Sequence, residues 1–278
     1  MERETWLLWL LADSQLPTGG FVASAGLEAA QQGGLVSAAS GEAGPGSFGD
    51  FIRRSAHSQA RFGLPFCSRA HEQAARRLDE PGGGGGGDGA ADAIVGEFAR
   101  VDGHHHAMLA SSGVAMRASI AQGGGLLTLF NRGHAQAALL GDARGRLGAA
   151  VARRLQRLAR AGEIRAHWAT VFGFVCAALD IGLRHTQQLY MFQFVRQLFS
   201  AAIRLNLVGP LRAQALQCDM REAVDAMLRA HGHLRAEVGS GDDDGDDSAF
   251  SESAAYTEPM VELYQGMHDR LYSRIFNS

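Results

Sequence analysis

The chain has 278 residues, enough for one large domain or two small ones, and 46% hydrophobic with 20% charged residues is the balance of a globular protein with a real core. Its formal net charge is −3, which argues against a general nucleic-acid binder, since that needs a clustered basic surface. All 26 basic residues are arginine, so a phosphate-binding loop, which needs a lysine, is excluded as well.

In chain order, residues 4–12 (ETWLLWLLA) predict a short amphipathic helix, broken at Asp13-Ser14 and followed by a turn at Leu16 to Gly20. Phe21 to Gln32 predicts a second helix with Gly33-Gly34 as its stop. The small residues 37–47 read as a loop. Phe51 to Phe62 and Pro65 to Leu78 predict two helices broken around Gly63, with Pro65 placed where a helix's first turn tolerates it. Gly82 to Gly87 reads as a flexible insertion. Residues 92–121 and 126–140 predict helices separated by Gly123-Gly124-Gly125, and Ala149 to Arg160 a further one. Ala166 to Ile181 is nearly all apolar and predicts a buried central helix.

Gln187 to Leu205 carries the clearest helical period, with an apolar stripe of Met191, Val195, Leu198, Ala202 and Leu205. Phe192, Phe194 and Phe199 widen that stripe beyond one core face. Asn206 to Gly209 end it, and Pro210 opens a helix to about Arg229. Gly239 to Ser253 is acidic and of low complexity, the composition of a solvated loop. Pro259 to Phe276 predicts a last amphipathic helix. No run of alternating β-branched residues occurs. The expectation is a single all-α domain over residues 1–278, a bundle of about ten helices, with 82–89 and 239–253 as loops.

Little in this pattern carries chemistry. Cys67, Cys176 and Cys218 are isolated, which fits a reducing compartment and gives no structural zinc motif. His104-His105-His106 diverge by about 100° per residue on a helix and cannot all grip one ion, so a solvated run is expected. His231 and His233 lie at a predicted helix end, where they complement the dipole or chelate a metal. The acidic tract fails as a calcium loop, because its glycine and closing glutamate are misplaced. Arg153, Arg154, Arg157 and Arg160 form a one-sided basic face, solvated or turned to an acidic protein. No serine-nucleophile elbow, zinc-protease motif or dinucleotide fingerprint is present. The chain is expected to be no enzyme, to use no cofactor and no resident metal, and to avoid membranes, because no segment reaches about 18 consecutive apolar residues.

Two terminal segments have more specific sequences. Asp13-Ser14-x-x-Pro17-x-Gly19-Gly20-Phe21-x-x-Ser24-x-Gly26-Leu27-Glu28 and Leu271-Tyr272-Ser273-Arg274-Ile275-Phe276-x-Ser278 resemble the UreF family of urease accessory proteins. The likeness extends through Leu64-Pro65 with Ala70-His71, Arg117-x-Ser119 with Gln122-Gly123, His167-Trp168-x-x-Val171-Phe172-Gly173, and Arg204-Leu205-x-Leu207-Val208-Gly209-Pro210. The Gly82 to Gly87 run, the histidine triplet and the acidic loop depart from the family pattern. The resemblance implies a cytoplasmic, all-helical homodimer that pairs with UreD (also called UreH). That pair recruits the GTPase UreG and supports nickel delivery to apo-urease, without catalysis by this chain. It implies partner-binding roles for Gly19, Gly20, Phe21, Ser24, Gly26 and Glu28 near the GTPase-facing surface. For Leu271, Tyr272, Arg274 and Phe276 it implies docking against UreD. The plain alternatives are turn geometry for the glycines and intramolecular packing for Tyr272 and Phe276.

Overall fold

In the computed structural model of the protein, residues 1–13, 15–37, 44, 46–80, 87–136, 142–237 and 254–277 are described. The helices are α1 (Arg3–Ala12), α2 (Leu27–Gln32), α3 (Phe48–Arg61), α4 (Gly63–Asp79), α5 (Gly87–Met108), α6 (Gly113–Arg132), α7 (Ala143–Ala161), α8 (Trp168–Ala178), α9 (Leu183–Arg204), α10 (Pro210–His231) and α11 (Pro259–Met267). Among the described residues there is no strand, as the absence of alternating β-branched runs implies. No described helix is long and apolar enough to cross a membrane.

The middle of the bundle is α8, whose residues Ala169 to Ala178 are all buried. It packs mainly on α4 and α6, with α5, α7 and α9 completing the ring around it. The α4–α8 approach is backbone on backbone. A Cβ at Gly173 would overlap the Cys67 carbonyl oxygen and stand 3.0 Å from the His71 nitrogen. Asp102 on α5 fixes the start of α8 from outside the helix. Its carboxylate accepts from the backbone N–H groups of Arg165, Ala166 and His167 at 2.8–2.9 Å and from the Thr170 hydroxyl at 2.7 Å. That satisfies the backbone donors of the segment leading into the helix, including its N-cap His167.

Several sequence expectations are corrected. Gly123-Gly124-Gly125 does not separate two helices; it lies inside α6, and the break falls at Leu109 to Ser112, where Ser112 caps the new helix by accepting from the Ala115 N–H. A Cβ on Gly123 would collide with the Ala166 carbonyl, and one on Gly125 would meet the Thr18 backbone at 3.1 Å. Packing that closely from two sides outweighs the roughly 1 kcal/mol per residue by which glycine disfavours a helix. Helix α3 begins at Phe48, with Ser47 accepting from the Asp50 N–H at 3.1 Å. Helix α7 begins at Ala143, capped by Asp142 through the Gly145 N–H at 2.7 Å. Residues 87–89, expected in a loop, are the first turn of α5; the remainder of that stretch and residues 239–253 lie outside the described residues.

The histidine triplet is not a solvated run. His105 is 3% exposed and stacks on Phe66, with ring centres 4.3 Å apart and planes 15° from parallel. His106 Nδ1 lies 3.1 Å from His167 Nε2, and His167 Nδ1 lies 3.1 Å from the Ser119 hydroxyl. Burial pushes the His105 imidazole well below its ordinary value and His167 down to about 4, so both rings are neutral packing groups. They tie α5, α6 and α8 together. By contrast, Arg153, Arg157 and Arg160 do face solvent, and Arg154 pairs with Asp92. Of the α9 aromatics, Phe199 is buried and Phe192 is 41% exposed.

Candidate functional site

The two terminal motifs, some 250 residues apart in sequence, build one structure. It starts with a turn that the sequence dictates locally. Gly19 is left-handed (φ 78°) and opens a single 3-10 turn, Gly20–Val22, in place of the helix expected from Phe21. Ala25 (φ 48°) and Gly26 (φ 89°) are also left-handed, which no helix admits, so α2 begins only at Leu27. Positive φ at an alanine costs on the order of 1 kcal/mol, and the close packing beyond it holds it there. At Gly26, an added Cβ would stand 3.0 Å from the Gln265 nitrogen of α11. Gly26 therefore serves both a backbone conformation and a contact.

Helix α2 directs Glu28 inward, where its side chain is buried. Its carboxylate accepts from the backbone N–H of Ile275 at 2.6 Å and of Phe276 at 3.1 Å. These charge-assisted bonds compensate for a carboxylate removed from water. The Asn277 N–H donates to the Val22 carbonyl at 2.8 Å, and the Gln32 amide to the Ser273 carbonyl at 2.9 Å. The tail from Leu271 onward thus runs, non-helical and bent, along the first motif and α2. The expected helix from Pro259 to Phe276 stops at Met267 and passes through a 3-10 turn, His268–Arg270, into this tail. The physical reason is that Glu28 takes the N–H groups a continuing helix would have bonded internally.

Phe276 is 2% exposed, and the Arg204 guanidinium lies over its ring at 4.1 Å, within cation–π range. Arg204 also donates to the Phe21 carbonyl oxygen. Burial pulls the Arg204 guanidinium below its ordinary value, while the nearby Glu28 carboxylate works the other way. Buried His268 closes the site, with Nε2 3.1 Å from the Phe276 carbonyl oxygen and Nδ1 3.9 Å from the Glu28 carboxylate. Outside it, Arg117 of α6 grips Asp269 through both carboxylate oxygens at 2.8 and 2.6 Å. That contact holds the Asp269 carboxyl below its usual range.

Of the residues singled out in the sequence, Glu28, Ser24, Gly26 and Phe276 are buried inside this junction, so Glu28 is an internal tether instead of a surface contact. Gly19, Gly20 and Leu271 are half-buried, and Arg274 is exposed with an oxygen of Asp269 3.5 Å away. Phe21 (60% exposed), Ile275 (63%) and Tyr272 (fully exposed) point outward. Arg204, His268, Gln32 and Arg117 complete the junction and were not singled out as site residues. Arg204 and Arg117 did lie in segments noted for their resemblance, which was the available signal. Behind the first motif lies a cavity of about 350 Å³ whose lining mixes amides and hydroxyls (Thr18, Gln122, Gln197) with apolar and aromatic side chains (Phe21, Trp168, Phe194). Among the described residues, no group of three or more histidine, cysteine, aspartate or glutamate side chains is placed to hold a metal ion.

Comparison with known proteins gives a consistent picture. A family model described as UreF matches residues 43–221. The chain is 29% identical to a protein named urease accessory protein F from Oryza sativa subsp. indica, over 99% of this chain and 85% of that one. It is 29% identical to urease accessory protein 6 of Cryptococcus neoformans var. grubii, over 99% and 98%. It is likewise 29% identical to urease accessory protein F of Arabidopsis thaliana, over 98% and 92%.

Proposed function

The chain belongs to the UreF family of urease accessory proteins, and from that premise we propose that it is a non-catalytic scaffold of urease maturation in the cytoplasm. In this reading it forms a homodimer and pairs with UreD (UreH). The pair recruits the GTPase UreG and supports nickel insertion into apo-urease.

The observation that carries the reading is the division of labour at the terminal junction. Glu28, Phe276 and His268 lock the tail onto the first motif from inside. Phe21, Leu263, Tyr272 and Ile275, on the segments that meet there, remain exposed. Large apolar side chains held outward on an internally satisfied frame are the feature of a surface awaiting a protein partner. The tail is then a preformed docking element, which lowers the ordering cost of association. Arg274 and Asp269 supply a polar rim.

The test is co-expression with UreD and UreG, with complex mass read by size exclusion. The double substitution Tyr272→Ala with Ile275→Ala is expected to abolish the complex while leaving the melting temperature unchanged, as exposed positions usually do to within about 0.5 kcal/mol. Arg274→Ala should weaken capture of UreD in the same assay. A complex of full mass from the double variant would sink the assignment of this surface.

A further inference from the structure

The cavity behind the first motif is enclosed by α3, α5, α6, α9 and α11 together with the segment from Leu16 to Ala25. Its volume of about 350 Å³ is that of a small-molecule site. Two polar atoms of its wall, the Ser55 hydroxyl and His105 Nδ1, have no hydrogen-bond partner among the described residues. Both residues are only 3% exposed. A buried polar group in that state has lost water without compensation, and the space that can supply its partner is the cavity it borders.

A second set of polar atoms converges at Gly20. A Cβ placed there would stand 3.4 Å from Oε1 of Gln197, 3.6 Å from Oε1 of Gln122 and 3.9 Å from the Thr18 hydroxyl oxygen. Gln197 donates its amide N–H to the Ala23 carbonyl at 3.1 Å, which leaves its oxygen as the acceptor facing this spot. The Gly20 backbone is not left-handed, so its conformation does not call for glycine; the missing side chain leaves room in front of the oxygens.

Those oxygens call for N–H donors. Among the lining residues the charged side chains are Arg196 and Glu262. Arg196 is spent on the carbonyl oxygens of Ala12 and Asp13, and burial pushes the Glu262 carboxyl up toward its neutral form. An ion entering here would lose its hydration without a free countercharge. Flat walls come from Phe62 and Tyr256, stacked with ring centres 3.9 Å apart, and from Trp168 and Phe194. Such faces suit a planar ligand.

We propose that this cavity binds a small, neutral, planar molecule bearing N–H donors, of the aromatic carboxamide class. Its amide N–H groups face Gln122, Gln197 and Thr18, its ring lies among the aromatic walls, and Ser55 and His105 meet a polar group at its far edge. The site is read separately from the exposed partner surface, and its test does not involve complex assembly.

The experiment titrates full-length protein with 4-hydroxybenzamide by calorimetry, with ¹H–¹⁵N spectra of the glutamine side-chain amides recorded alongside. Saturable one-to-one binding is expected, with shifts at Gln122 and Gln197. The equally shaped anion 4-hydroxybenzoate and cation 4-hydroxybenzamidine should each bind roughly tenfold or more weakly. Gly20→Ala sets a methyl group in front of the three oxygens at ordinary contact distance and should weaken binding roughly tenfold. Ser55→Ala removes an unpartnered hydroxyl, so it should weaken binding severalfold while the melting temperature holds or rises. No saturable binding, equal binding of either charged analogue, or undiminished binding in either variant overturns the proposal. The three probes on the unsubstituted protein decide it even if a variant fails to fold.

Discussion

Glu28 is bonded to the backbone of residues 247 and 248 positions further along the chain, and its carboxylate is the tether of the whole tail. Removing it leaves two N–H groups without an acceptor, one of them buried, at a cost of about 1–3 kcal/mol for a buried one. The expected consequence of Glu28→Ala is local. Amide exchange at Ile275 and Phe276 should accelerate sharply, while α8 stays protected, and Glu28→Gln should fall between because it keeps one acceptor oxygen. Unaltered protection of the tail in Glu28→Ala would show that Phe276 packing under Arg204 suffices alone. The same residue shows that burial is not readable from a motif. The resemblance implied a partner contact for Glu28, and only the returning tail, which no local signal announces, buries its carboxylate.

At the scale of elements, the glycines divide by what approaches them. Gly173 on α8 is the point where α4 passes backbone to backbone. Gly173→Ala forces the two helices apart and is expected to lower unfolding stability by about 3 kcal/mol or more, the range of severe overpacking. Gly124, in the middle of the α6 glycine triplet, faces open space. Gly124→Ala should therefore be neutral or stabilising, by about 0.5–1 kcal/mol from helix propensity and reduced unfolded-state entropy. Urea unfolding of both variants separates the cases, and similar losses in the two would refute the packing account. The approximate places of most helices were legible in the sequence from apolar period and flanking turns, and the starts at Pro210 and Pro259 from proline, a local signal. The triplet was misread because tolerance of glycine inside α6 depends on Thr18 and Ala166, which come from elsewhere in the chain.

At the scale of the molecule, the buried histidines couple stability to pH. His167 is neutral in the fold down to about pH 4, whereas in the unfolded chain it takes a proton near pH 6.5. Between these values the unfolded state binds more protons, so stability rises with pH, by up to about 1.4 kcal/mol per unit for such a group. The contribution is fully present above about pH 6.5 and is lost as the pH falls toward 4. His105, buried against Phe66, acts in the same direction. Stability measured between pH 4 and 7 should show this slope, and His167→Gln should flatten part of it. A profile unchanged by that substitution would contradict the assignment of the neutral ring.

The sequence by itself determined the all-α class, the buried character of α8, the proline-marked helix starts at 210 and 259, and a resemblance to the family that the family model over residues 43–221 bears out. Those properties rest on local propensity and on residue patterns within a few turns. Tertiary structure alone decided that the two motifs are one structure, that Glu28 and Phe276 face inward while Tyr272 and Ile275 face outward, and that the histidine triplet joins the core. These outcomes depend on which segments meet across distances from about forty to about 250 residues of chain. A buried carboxylate, a left-handed alanine or a neutral histidine is stable only when such a meeting supplies its partners.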